Sequence, residues 1–241
     1  MSFSSKASFL GDANFPYSIP KYVKGQKIAL YQDLYQRYSK LALSYNTDRP
    51  VAIKGLEKRL LGALGSQGGF GVLDTYLRRS LLWQRDTVLE RIDFPHNTEQ
   101  EPIPSWSWMA YAGGIRYMHV PGGAEWAKWE QDIVSPWKKA RNKNDPLELE
   151  VLVRDLEDNK RQRRALIFSD EPGRAFDSSP FKCVVVGSSN PLTQSRGREY
   201  YVLIVTPLGQ RGSNIYERAG VGRLYEQQIV WNKAGIKAYI R

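Results

Sequence analysis

The order of residue patterns along the chain predicts an α+β fold: N-terminal helices packed on a C-terminal, mainly antiparallel β-sheet closed as a sandwich or barrel. Between residues 27 and 83, apolar side chains recur at helical spacing. After about residue 95, the apolar runs shorten, become β-branched and are bounded by turn residues. The 241 residues are 41% hydrophobic, enough for one large core, so residues 27–95 and 96–241 are read as one compact unit. Residues 1–26 form an extended arm, laid over the body by Phe9, Phe15 and Tyr17.

The first helix begins near Lys27, with Leu30, Leu34, Tyr38 and Leu41 on one stripe and Tyr31 and Tyr35 beside it. Asn46, Thr47 and Asp48 supply N-cap oxygens for a second helix, and Pro50 fits its first turn, where a missing N–H is harmless. Val51, Ile53, Leu56, Leu60 and Leu61 continue it, and Gly62, Gly65 and Gly68-Gly69-Phe70-Gly71 end it in a loose connection. A third helix places Leu73, Tyr76, Leu77, Leu81 and Leu82 on one face and Trp83 near its end. Strands follow at 105–111, 114–120, 147–155, 164–169, 181–188, 200–206, 222–230 and 236–240. Period-two alternation over 147–153 gives that strand one wet face, whereas the apolar runs at 183–186 and 201–205 are central.

Thirty-five Lys+Arg against 25 Asp+Glu give a formal charge of +10, which suits an acidic partner of any class. The basic runs starting at Lys138 and Lys160 read as solvated loops. Trp126, Trp129 and Trp137 interleave with Lys128, Lys138 and Lys139, a spacing that can stack bases. No RNA-recognition signature accompanies them, so nucleic acid is not the expected partner. The single Cys183 excludes an internal disulfide and fits a reducing, cytoplasmic location. No apolar run approaches the roughly 18 residues a spanning helix needs.

Two histidines and one cysteine cannot form an ordinary structural zinc site, and neither metal nor cofactor is expected. The glycine run at 68–71 lacks the Gly-Lys-Ser/Thr ending of a phosphate loop, and Cys183, ahead of three valines, reads as an inert buried thiol. His96 reads as a surface residue. The stretch "PSWSWMAYAGGI" at 104–115 offers the one candidate site. If 105–111 and 114–120 form a hairpin, Trp106, Trp108, Tyr117 and His119 share one side of it. Trp106, Trp108 and Arg116 would then bind a substrate, with His119 and Tyr117 as acid/base groups and Asp177, Glu217 or Arg218 as helpers. The competing reading makes the same tryptophans core residues of a structural strand.

Several segments, in order, resemble the region downstream of the heart of the fungal heterokaryon-incompatibility (HET) domain. They are "YQRYSKLALSYNTDRPVAIKGLEKRL" at 35–60, "YLRRSLLWQR" at 76–85, "PSWSWMAYAGGI" at 104–115 and "YERAGVGRLYE" at 216–226. Pro50 stands where the family has leucine after Asp-Arg, and Met109 replaces a small residue. The family's N-terminal α/β portion, similar to Toll/interleukin-receptor signalling domains, has no counterpart here, so activity housed there is not carried over. The resemblance implies a short, stand-alone interaction or regulatory module of fungal self/non-self recognition, with "PSWSW" as a strand fastening helices to sheet. It leaves the oligomeric state and the partner open. The alternative is a cofactor-independent enzyme of fungal secondary metabolism, a cyclase, isomerase or dehydratase, using the aromatic pocket for a small-molecule ligand.

Overall fold

A computed structural model of the protein describes residues 14–88, 90–95, 102–120, 127–138, 147–157, 166–173, 181–189, 198–209, 213–231 and 234–241. Phe9, His96, Trp126, Lys139, Asp177 and the basic run from Lys160 lie outside the described residues. The architecture is α+β.

Helix α1 spans Lys24–Ser39 and α2 spans Arg49–Leu64, joined through a 3-10 turn at Asn46–Asp48. The helical stripe is buried as the period requires at Leu30, Leu34, Tyr31 and Tyr35, while Leu41 lies past the helix end and is exposed. Asp48 occupies the N-cap of α2 but makes no side-chain cap bond. Gly65, at φ +57°, ends α2 in the left-handed conformation open to glycine.

The glycine run is not a loose connection. It forms a tight hairpin of β1 (Gly68–Gly69) and β2 (Val72–Leu73), whose central Phe70 and Gly71 both have positive φ, as a type I′ turn requires. Gly71 is obligatory for a second reason: a Cβ there would sit 2.1 Å from the Trp108 indole nitrogen. This hairpin takes Leu73 out of the expected third helix, which shrinks to one turn, α3 (Leu77–Ser80). Trp83 belongs instead to β3 (Trp83–Arg85), and β4 follows at Glu90–Arg91.

The expected strand at 105–111 is a turn. Ser107 N–H donates to the Pro104 carbonyl, and the Ser107 hydroxyl caps a 3-10 turn at Trp108–Ala110 by accepting from Met109 N–H. Only Tyr111–Ala112 (β5) and Ile115–Tyr117 (β6) are extended. They do not pair with each other: β5 pairs with β4 and β6 with β3, both antiparallel. The hairpin that would have gathered the candidate site therefore does not form.

The body contains β7 (Ala127–Trp129), β8 (Ile133–Val134), β9 (Leu149–Asp155), β10 (Leu166–Ser169), β11 (Lys182–Ser189), β12 (Glu199–Pro207), β13 (Ile215–Tyr225) and β14 (Ile236–Ile240). The order β11-β12-β13-β14-β9 returns to β11, closing a five-stranded barrel. Its pairings are antiparallel apart from β13 with β14. Strands β7, β8 and β10 extend it from β11, β9 and β13. The sequence placed a strand at 222–230, but β13 starts at Ile215, and the Gln228 side chain closes it by accepting from Tyr225 N–H at 2.7 Å. Gly220 and Gly222 lie within β13 where β10 crosses closely. A Cβ on Gly220 would approach the Phe168 carbonyl oxygen to 2.4 Å.

Three cores result. One gathers Val151, Val153, Val184, Leu203 and Val221 of the barrel with Leu77, Leu81, Leu82 and Trp106. A second joins α1 and α2 to Trp83, Trp108, Tyr111 and Ile115. The third covers the opposite face of β11–β13 through Cys183, Val185, Val202 and Ile204.

Candidate functional site

The two tryptophans of "PSWSW" are fully buried but point into different cores. A strand would have aligned residues 106 and 108 on one face; the turn at Ser107 sends them apart. Trp106 meets Phe70 and Trp137 edge-on, at ring separations of 6.5 and 6.0 Å. Trp108 packs on Tyr35 at 5.5 Å and Tyr38 at 6.1 Å. Tyr117 lies edge-on to Tyr31 in the helical core, with its hydroxyl buried and unpartnered. Burial pushes that phenol well above its ordinary range, which removes it from proton exchange near neutral pH. His119 and Arg116 are exposed, and Arg116 reaches toward Asp86 at 4.0 Å. The structure thus brings Tyr117 and Trp108 into one core, and leaves Trp106, Arg116 and His119 elsewhere.

What the motif segments do together is join. Arg218 of β13 is 1% exposed and forms a forked pair with Asp170, Nε to Oδ2 at 2.8 Å and Nη2 to Oδ1 at 3.1 Å. The same guanidinium donates from Nη1 to the Leu81 carbonyl at 2.7 Å, and from Nη2 to the Trp83 carbonyl, and lies 3.4 Å from the Trp83 ring centroid. The Trp83 indole N–H donates to the Trp106 carbonyl at 3.0 Å, and Arg218 N–H donates to the Ser105 hydroxyl at 3.1 Å. Ser105 in turn donates to the Arg241 carbonyl. "LLW", "PSW" and "YER", separated by up to 137 residues, therefore meet at one buried arginine.

A second arginine repeats the arrangement in the helical core. Arg49 is 2% exposed, donates to the Ser39 and Gly113 carbonyls at 2.9 and 3.2 Å, and lies over Trp108 at 5.7 Å. Ser39 accepts from Ile115 N–H at 2.9 Å, and Tyr38 donates to the Arg49 carbonyl at 2.8 Å. "YS", "DR" and "GGI" are knotted here. Sequence reading missed both arginines as organisers; the available signal was their place inside motifs otherwise built from aromatic and small residues.

Of the remaining groups with chemistry, Cys183 is fully buried and its thiol is pushed up to about 12 by burial, which leaves it without nucleophilic thiolate. Glu217, a proposed helper, pairs with Arg91 at 2.7 Å on the outside of the joint. Among the described residues, no group of three or more His, Cys, Asp or Glu is placed to hold a metal ion, and no helix is long and apolar enough to cross a membrane. The chain matches no family model, no curated protein and no solved structure.

Proposed function

We propose that the protein is a cytoplasmic interaction or regulatory module of the HET-like type, acting in fungal self/non-self recognition through a protein partner. The observation that carries this reading is that every motif behind the resemblance is spent on the two arginine joints. Of the residues expected to form a catalytic aromatic pocket, Trp106, Trp108 and Tyr117 serve as core and fastening while Arg116 and His119 stand exposed apart from them, which favours partner binding over turnover. The exposed apolar residues Leu41, Tyr45, Val51 and Val88 flank the α1–α2 connection, where Lys40 pairs with Asp86 at 2.5 Å, and give a partner its contact area.

Crosslinking mass spectrometry on the full chain expressed in fungal hyphae tests this. Crosslinks to one defined protein around Leu41 and Tyr45, lost in Tyr45→Glu/Val51→Glu, are expected. Absence of such a partner, together with turnover of a small molecule that His119→Ala abolishes, would replace this reading by the enzymatic one.

A further inference from the structure

Ion pairs are spread unevenly over the molecule. In the barrel body, Arg154, Lys182, Arg218, Arg223, Lys237 and Arg241 each meet a carboxylate. In the helical layer, residues 14–64 hold nine Lys+Arg against three Asp+Glu, so most of the surplus positive charge lies there. One of those three carboxylates, Glu57, turns inward to the Gly71 N–H.

The surplus is densest where the layer begins. From Asn14 to Gln32 the chain has no carboxylate, while Lys21, Lys24 and Lys27 recur at every third residue, through the 3-10 turn at Ile19–Lys21 and into the start of α1. None of the three has an ion-pair partner among the described residues. Like charges three apart on a helix are neighbours and repel, so this spacing costs the fold stability. Apolar side chains stand in solvent among them: Tyr17 is 83% exposed and Val23 67%, and Pro20 is exposed. Ile19, fully buried in the core of Ile53 and Leu60, fixes the turn to the body. The turn's own backbone donors are satisfied. Ser18, Ile19, Lys21 and Tyr22 N–H donate to the Asn14, Pro16, Ser18 and Ile19 carbonyls, and Val23 N–H donates to Gln26 Oε1 at 3.0 Å. Such a segment enters an apolar phase without the cost of bare N–H groups.

We propose that residues 17–27 form a peripheral docking surface for an anionic lipid bilayer, with Tyr17 and Val23 at head-group depth and Lys21, Lys24 and Lys27 against the lipid anions. Tyrosine favours the bilayer interface, and each lysine there is worth about fivefold in partitioning. Apolar contact and basic charge together supply the two signals that reversible anchoring takes. A nucleic-acid backbone would meet the lysines but gives Val23 nothing to be buried in, so the bilayer is the occupant that uses both parts of the surface. The inference is independent of the partner-binding reading, since it uses none of Leu41, Tyr45, Val51 or Val88.

Co-sedimentation of the full chain with phosphatidylcholine vesicles, with and without about 30% phosphatidylserine, tests it. Binding to the serine-containing vesicles alone is expected, weakening as salt is raised. Lys21→Gln/Lys24→Gln/Lys27→Gln should lower partitioning about a hundredfold. Tyr17→Ser/Val23→Ser, which removes no charge, should lower it about tenfold. Far-UV circular dichroism checks that each variant is folded, and if the lysine variant is not, Tyr17→Ser/Val23→Ser decides. Equal binding to both kinds of vesicle, binding to neither, or binding unchanged in a folded variant overturns the proposal. So does duplex DNA that displaces the vesicles from the wild type and binds Tyr17→Ser/Val23→Ser equally well, because the surface would then recognise a polyanion through charge alone.

Discussion

The Glu57 carboxylate accepts the Gly71 N–H at 2.7 Å and so anchors the hairpin whose turn leaves space for Trp108. Burial pushes its pKa above the ordinary carboxylate range, and the bonds from Gly71 and Phe70 N–H only partly oppose this. The folded state therefore holds the proton more tightly than the unfolded chain. Its contribution to stability is fully present below the unfolded pKa and is lost as pH rises through the folded value. Glu57→Gln keeps an acceptor for Gly71 and removes the charge. Urea unfolding at pH 3.5 and pH 7 should show the variant gaining on the wild type as pH rises. A wild-type advantage that grows with pH would mean that the ionised hydrogen bonds outweigh desolvation.

Between elements, the joint of β3, β13 and the Ser105–Trp106 turn depends on Arg218, whose charge is matched by Asp170 in a site with no water access. Removing one member of a buried pair strands the other and costs about 3–5 kcal/mol, whereas replacing both by apolar groups of similar size is often neutral. Arg218→Met should therefore lose about that much in urea unfolding, and Arg218→Met/Asp170→Leu should recover a large part of it. If the double variant is as unstable as the single, the carbonyl contacts to Leu81 and Trp83 matter more than the ion pair. The same joint shows what was legible in the sequence. The stripes of α1 and α2, the alternation in β9 and β14 and the unbroken apolar runs of β11 and β12 made those elements legible. Periodicity failed at 105–111, where a serine hydroxyl competes successfully with strand hydrogen bonding, and it set the bounds of β13 at 222–230 where the strand runs Ile215–Tyr225. It also failed for the site, since alternation was applied to a strand that does not exist. The long-range partners of Arg49 and Arg218, up to 137 residues away, leave no local pattern.

Across the whole molecule, the chain does not sort its helices and strands into separate cores. The helical core needs Trp108, Tyr111 and Ile115 from beyond residue 95, and the barrel core needs Leu77, Leu81 and Leu82 from before it. The two cores are further tied by Trp106 and Trp108, only two residues apart, so neither tryptophan can leave its site without disturbing the turn that holds the other. Opening the barrel withdraws Arg218 from Leu81, Trp83 and Ser105, which frame the helical core, and the barrel core loses Leu77, Leu81 and Leu82 when that segment leaves. This coupling predicts a single cooperative transition. Thermal unfolding followed by far-UV circular dichroism, which weights the helices, should coincide with near-UV circular dichroism, which reports the buried tryptophans of both cores. Arg218→Met should shift both curves by the same amount, because the joint belongs to both. A helical transition that precedes the tryptophan transition would show that α1 and α2 pack as an independent layer, and that the joints only align two separately stable parts.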